Sequence, residues 1–332
     1  MTETSTRKQN KNEPKKPKIT VIGGGTGVST VLSELKNVAD VTAIVSTMDS
    51  GGSSGRLRDE NGILPPGDIL KCIVRLLPDD ERSRKWADFL DYRFRKGEGL
   101  KGHSLGNLLL AAAYDWEGGT SYGIDSIAWL LNIKGRVLPV TLNDVDLIAK
   151  LSDGSDVVSE TKIDLRQGDD RHIEYIYLSR RAQIFPPARE AILGADKIVI
   201  GPGSLFTSIL PNFLVEGLAE ALLETHAPKI YVCNLVTDPA ETSDYKASDF
   251  ISKVTEYLVD GDQVDYALLN DGPISNVAER MYQTERKFPV ETDLAECQKL
   301  VRKQVITGAF CKGKTILRHD SEGLAQTILA LD

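Results

Sequence analysis

The stretch from Lys18 to Leu35, KITVIGGGTGVSTVLSEL, constrains this chain more than any other. Ile19 to Ile22 reads as a short β-branched strand and Gly23 to Gly27 as a glycine-packed turn; Val28, Val31, Leu32 and Leu35 then recur at helical spacing. Together these make an anion site. Without a Cβ at Gly23, Gly24, Gly25 and Gly27 the backbone can come close to a ligand, and the first helical N–H groups point outward, unpaired and partially positive. Phosphate suits such a site. The named fingerprints do not apply, since a G-x-G-x-x-G from Gly23 would need glycine at Val28 and the G-K-[ST] of a P-loop is missing. The alternative is a turn that merely joins strand to helix.

A chain of 332 residues, 41% hydrophobic and 27% charged, can bury the core of one large α/β domain or two smaller ones. Its longest apolar runs, such as Leu108 to Ala113, fall far short of the ~20 residues of a membrane span. The polar start lacks the apolar segment of a signal peptide, so no membrane insertion and a cytoplasmic location are expected. Cys72, Cys233, Cys297 and Cys311 lie far apart without a C-x-x-C pair, which suggests reduced thiols. A net charge of −8 argues against nucleic acid as a partner.

Residues 1–17 are rich in Lys, Asn, Glu and Pro and read as a disordered tail, leaving residues 18–332 as a single domain. Val41 to Val45 forms a second strand that opens into a polar glycine loop carrying Asp49, Gly51, Gly52, Ser53, Ser54 and Arg56. In open parallel sheets ligands bind beyond the strand ends, so two such loops from consecutive strands should border one pocket; Asp49 stands about where a ribose-binding carboxylate would. Pro65 to Leu110 reads as helical, with Asp68 as an N-cap and His103, Ser104 and Asn107 at a helix start. From 137 to 178 the pattern shifts to short runs, Val137 to Leu142, Leu147 to Leu151, Val157 to Ile163 and Ile173 to Leu178, read as an antiparallel excursion with a hairpin at Asp153-Gly154.

Lys197 to Ile200 followed by Gly201, Gly203 and Ser204 repeats the strand and glycine turn of the start, which suggests a ligand with two anchoring points. Strand Ile230 to Val236, carrying Asn234, helix Ala247 to Leu258 and strand Tyr266 to Leu269 continue the β/α alternation. The chain ends with a short strand at Lys314 to Leu317, Arg318-His319-Asp320-Ser321, and a helix. The fold class expected is α/β, Rossmann-like, a mostly parallel sheet with helices on both faces and an antiparallel β excursion.

Chemistry is harder to place. His103, His172, His226 and His319 are scattered without metal-ligand spacing, so no metal site is expected, and no nucleophile with its base stands out. Asp49, Asp68, His103, Asp238 and Asp320 serve equally as acids or as caps. Arg56 and Arg318 sit in loops that should face the crevice and could fork onto a diphosphate.

Taken together, Gly23-Gly-Gly-Thr-Gly, Met48-Asp-Ser-Gly-Gly-Ser-Ser-Gly-Arg-Leu-Arg, Pro65-Pro-Gly-Asp, Gly102-His-Ser-Leu-Gly-Asn, Gly201-Pro-Gly-Ser-Leu-Phe-Thr-Ser and Arg318-His-Asp closely resemble the bacterial gluconeogenesis factor family. More distantly the chain is similar to the 2-phospho-lactate transferases of deazaflavin cofactor synthesis. The resemblance implies a cytoplasmic UDP-sugar-binding regulator of cell morphogenesis and peptidoglycan synthesis under gluconeogenic growth, with no required cofactor and no established reaction. Gly24, Gly25, Thr26, Gly27, Asp49 to Arg56, Gly201 to Ser204 and Arg318 would line its nucleotide-sugar site, and Ser321 lies where the family can carry a phosphorylatable hydroxyl. A protein partner in cell-wall synthesis and self-association are further expectations. Two readings compete: a transferase using a nucleotide-diphosphate donor, and an NAD-type dinucleotide binder. The transferases show paired aspartates after the second strand, whereas here Asp49 is followed by Ser50, which favours binding over metal-assisted transfer.

Overall fold

In the computed structural model, which describes residues 15–332, the apolar runs become β1 (Lys18–Gly23), β2 (Asp40–Val45), β3 (Arg136–Pro139), β4 (Leu147–Leu151), β5 (Asp156–Val158), β6 (Ile173–Leu178), β7 (Lys197–Ile200), β8 (Lys229–Val232), β9 (Tyr266–Asn270), β10 (Gln304–Gly308), β11 (Cys311–Lys312) and β12 (Arg318–His319). Seven of them form one sheet in the order β10-β9-β8-β7-β1-β2-β3, and every pairing in it is parallel. The chain steps outward from β1 to β2 and β3, then returns to the other side of β1 with β7 and runs on to β10. The switch point of this doubly wound sheet therefore lies between β1 and β7, beside the two glycine turns.

Both faces are covered, which is why successive residues of a strand serve different cores. Val21 and Val199 pack with the helices Gly25–Val38, Gly67–Arg75, Leu105–Trp116, Thr120–Leu131 and Ser321–Ala330 through Val28, Leu32, Ile73, Leu110, Ile124 and Leu324. Ile22 and Ile200 face the other way, toward Ile192, Leu218 and Phe250 of helices Pro186–Leu193, Leu218–Glu224 and Ala247–Glu256. The antiparallel sheet β5-β4-β6 packs on that second face through Leu147, Ala149 and Ile176.

Several elements differ from the sequence reading. The run at 137–142 belongs to the parallel sheet, as its edge strand β3, and the antiparallel excursion begins only at Leu147. Val137 to Val140 are all buried, the continuous pattern of a strand covered on both faces and not the alternation of a half-exposed one. Val157 to Ile163 is not one strand: β5 stops at Val158, Ser159 takes a positive φ of 91°, and a helix spans Glu160–Asp164. The expected strand at Lys314 to Leu317 falls instead on β12, which pairs antiparallel with β11. Pro66, not Asp68, stands at the N-cap position of helix Gly67–Arg75, without a side-chain cap bond, and Asp68 sits inside its first turn. The polar loop after β2 folds into helix Gly52–Asn61.

Most of the expected tail lies outside the described residues. Its last residues are tied down, because the Pro17 carbonyl accepts from the Asp40 N–H at 2.9 Å and Lys16 Nζ donates to the Asn37 carbonyl at 2.7 Å. No helix among the described residues is long and apolar enough to cross a membrane.

Candidate functional site

A cleft of about 590 Å³ opens at the carboxyl ends of β1, β7 and β8, directly over the switch point. The first turn contributes Thr26 and Gly27, the second contributes Gly203, Ser204 and Ser208, and Asn234 and Arg318 close the side toward β8. The two turns touch. A Cβ at Gly27 would overlap the Pro202 carbonyl and lie 2.9 Å from the Gly203 nitrogen, so only glycine lets the second turn seat against the first.

The start of helix Gly25–Val38 has no side-chain cap and no acidic residue in its first turn, which leaves its N–H groups open to an anion. The second turn is not a mirror of the first. Its π-helical segment Leu205–Ile209 is held from behind by buried Glu241, which accepts from the Phe206 N–H at 2.8 Å and the Thr207 hydroxyl at 2.5 Å. Ser204 makes no cap bond there, so its hydroxyl is left for the cleft.

Arg318 is aimed by its neighbour. Burial holds the His319 imidazole neutral, with its pKa down at about 4. Its Nε2 lies 2.9 Å from the Cys233 carbonyl; a carbonyl only accepts, so Nε2 carries the proton. That bond ties the short β12 strand to the end of β8 and places the exposed Arg318 at the cleft rim.

The opposite wall is acidic and was not legible as a group in the sequence. Asp49, Asp68, Glu160 and Asp164 line the cleft together with Lys71 and Arg75. Asp49 Oδ1 accepts from the Gly51 N–H at 2.8 Å; burial and the nearby charge of Asp68 raise its pKa. Asp68 forms an ion pair with Lys71 at 2.9 Å. Burial, then the charge of Asp49, raises Glu160 to about 7. Although Ser50 follows Asp49 in the sequence, a second carboxylate, Asp68 from a helix nineteen positions on, faces the same cleft and acts on Asp49 through its charge. Among the described residues no group of three or more His, Cys, Asp or Glu could hold a metal ion. Asp49 and Asp68 alone would leave most of a cation's oxygen shell to phosphates and water.

The remaining expected site residues fall elsewhere. Gly51, Gly52, Ser53, Ser54 and Asn107 line a neighbouring cavity of about 570 Å³ that shares Asp49 and Lys71 with the cleft. Gly24, Gly25 and Gly201 line neither; they let elements pack. A Cβ at Gly25 would come 2.6 Å from Asp68 Cα, so the helix carrying Asp68, not a ligand, occupies that space. Arg56 is a correction. Its place on helix Gly52–Asn61 turns it outward, where Nη2 donates to the Lys101 carbonyl at 3.0 Å, and it faces neither cavity. Ser321 is the first residue of helix Ser321–Ala330 and lines neither cavity.

The buried carboxyls give a testable pH dependence. Burial pushes Glu241 from 4.5 up to about 8, so between these values the unfolded chain has released a proton that the folded chain keeps. Folding stability then falls as pH rises across that window, by up to about 1.4 kcal/mol per pH unit for each such group. Glu241→Gln keeps an acceptor for Phe206 N–H and a donor toward the Thr207 oxygen. Urea unfolding from pH 6 to 9 should show a shallower loss of stability in this variant, and equal slopes would place the titration elsewhere.

A doubly wound α/β protein whose crevice lies at the switch point, with glycine turns on one wall and carboxylates on the other, is the class that fold and site define. The model of the 2-phospho-L-lactate transferase CofD family matches residues 19–310. A putative gluconeogenesis factor of Thermotoga maritima is 42% identical over 94% of this chain and 98% of its own length. The gluconeogenesis factor of Bacillus subtilis is 38% identical over 95% of this chain and 98% of its own. A crystal structure from Bacillus halodurans, of a protein described as a member of the UPF0052 family, superposes with a TM-score of 0.89 at 38% identity, covering 95% of this chain and 100% of that one. The chain belongs to the CofD family, within its gluconeogenesis factor branch.

Proposed function

We propose that this protein is a cytoplasmic nucleotide-sugar-binding regulator, with a UDP-sugar as its ligand, acting in cell morphogenesis and peptidoglycan synthesis under gluconeogenic growth. The name carried by its relatives supports the gluconeogenic setting. The observation that carries the binding reading is the division of the cleft. Open helix N–H groups at Thr26 and Gly27, the Ser204 and Ser208 hydroxyls and Arg318 suit a diphosphate, while Asp49 and Glu160 suit the hydroxyls of a sugar or ribose. A cell-wall protein partner, self-association and phosphorylation at Ser321 belong to the same proposal.

Arg318→Ala tests it. The Arg318 side chain is exposed and makes no hydrogen bond or ion pair among the described residues, so the variant should melt like the parent. Loss of a charge-assisted bond to phosphate should cost about 1.5–3 kcal/mol, roughly ten- to a hundredfold in affinity for UDP-sugars by calorimetry. Unchanged titrations in a folded variant would remove Arg318 from the site. The second reading, transfer from a nucleotide-diphosphate donor, is favoured by the family match and by Asp68 standing beside Asp49. Product formed from a UDP-sugar or GDP-linked donor only when magnesium is present would establish it; tight magnesium-independent binding without turnover would support the regulator.

A further inference from the structure

Beyond β8 the cleft continues into a smaller cavity of about 280 Å³ at the ends of β8 and β9, and the two share Asn234 and Leu235. Its scale lies just under the ~300 Å³ at which whole-ligand pockets begin, which suits one ring system and not an entire nucleotide. Leu235, Ile274 and Val290 give it apolar walls.

Its polar end is formed by a pair of asparagines at matching positions on adjacent strands. Val232 pairs with Leu268, and two residues on from each stand Asn234, just past the end of β8, and Asn270, the last residue of β9. Each amide is oriented by its own NH2 group: Asn234 Nδ2 donates to the Gly203 carbonyl at 2.9 Å and Asn270 Nδ2 to the Gly272 carbonyl at 3.0 Å. Both Oδ1 atoms are thereby fixed, buried, and without any hydrogen-bond partner among the described residues. Buried acceptors are nearly always satisfied, and two adjacent orphans lining one cavity signal a donor that comes from outside the chain.

We infer that this cavity is a nucleobase subsite, specific for a base that presents a ring N–H, uracil or guanine, to the amide oxygens of Asn234 and Asn270. The inference rests on the diphosphate reading of the main cleft. The bond from Asn234 to the Gly203 carbonyl links the base pocket to the phosphate turn, so the two subsites are mechanically continuous. Cytosine and adenine carry a lone pair where uracil and guanine carry the ring N–H, and would set it against a fixed acceptor. A planar base resting against Leu235 and Val290 also removes apolar surface from water.

Calorimetry with inorganic pyrophosphate, UDP, GDP, CDP and ADP tests this on the full-length protein. UDP or GDP should bind at least about tenfold more tightly than CDP and ADP, and whichever of the two leads identifies the base. The advantage of that nucleotide over pyrophosphate should disappear in Asn270→Ala and, by filling of the slot from its half-buried rim, in Ile274→Trp. N3-methyl-UDP or N1-methyl-GDP should lose the same advantage in the parent protein, a result that needs no variant to fold. Equal affinity for all four nucleotides, with pyrophosphate still bound, would overturn the base subsite and leave the diphosphate cleft standing. If pyrophosphate and every nucleotide fail to bind, both readings fall together.

Discussion

Replacing Gly27 with alanine is expected to destabilise the protein by about 3 kcal/mol and to abolish measurable ligand binding, though the change adds only one methyl group. The added Cβ would enter the Pro202 carbonyl and crowd the Gly203 nitrogen at 2.9 Å. Neither partner is the free end of a flexible side chain, so one glycine turn must back away from the other. Because the wall proposed to hold phosphate is the junction of the two turns, a shift of either removes the geometry that sets Thr26, Gly27 and Ser204 around one cleft. Gly52 is the control. It has a positive φ of 49° with nothing within 4 Å of a Cβ, so Gly52→Ala should cost only the ~1–2 kcal/mol of left-handed strain. Chemical denaturation beside calorimetric titration of both variants checks this. Native affinity in a folded Gly27→Ala protein would mean that the two turns do not act as one site.

That junction was half visible in the sequence. A β-branched run, a glycine cluster and a helical period follow one another twice, at Lys18 and again at Lys197, and local patterns of this kind fix local structure. Their meeting at the switch point depends on strand order, which no local pattern encodes. The same limit hid the acidic wall. Asp68 reads as a cap because it follows Pro-Pro-Gly, and Glu160 reads as part of a strand; only the packing of helix Gly67–Arg75 against β2 and β3, and of helix Glu160–Asp164 against β4, β5 and the Leu205–Ile209 segment, brings them to Asp49. Arg56 failed for a different reason. Once its loop is recognised as helix Gly52–Asn61, helical phase sends Arg56 outward, while Arg58, two positions on, is buried against Asp144 and Asp146. Asn234 was visible singly, as a polar residue at the end of a strand, but its pairing with Asn270, thirty-six residues on, is a matter of register between β8 and β9.

Asp262→Ala is the other change with a large expected effect, about 3–5 kcal/mol of stability, and it should leave the cleft untouched. Lys229 Nζ sits 2.9 Å from both Asp262 oxygens, with the two side chains 3% and 0% exposed. Removing the aspartate strands a buried ammonium with only the Leu222 carbonyl, at 3.2 Å, still facing it. The reverse change, Lys229→Met, should cost less, because Asp262 keeps a bond of 2.9 Å from the half-exposed Arg302. The effects should not add: Lys229→Met with Asp262→Leu leaves no unpaired buried charge and should recover much of the loss. Lys229 opens β8 at its amino end, whereas the cleft lies beyond the carboxyl ends of the strands. Ligand affinity measured on the folded fraction should therefore stay at the parent value while the urea midpoint falls. A parallel drop in affinity would show that the amino end of β8 is coupled through the strand to Asn234, and that the cleft is set by the register of the whole sheet and not by the two glycine turns alone.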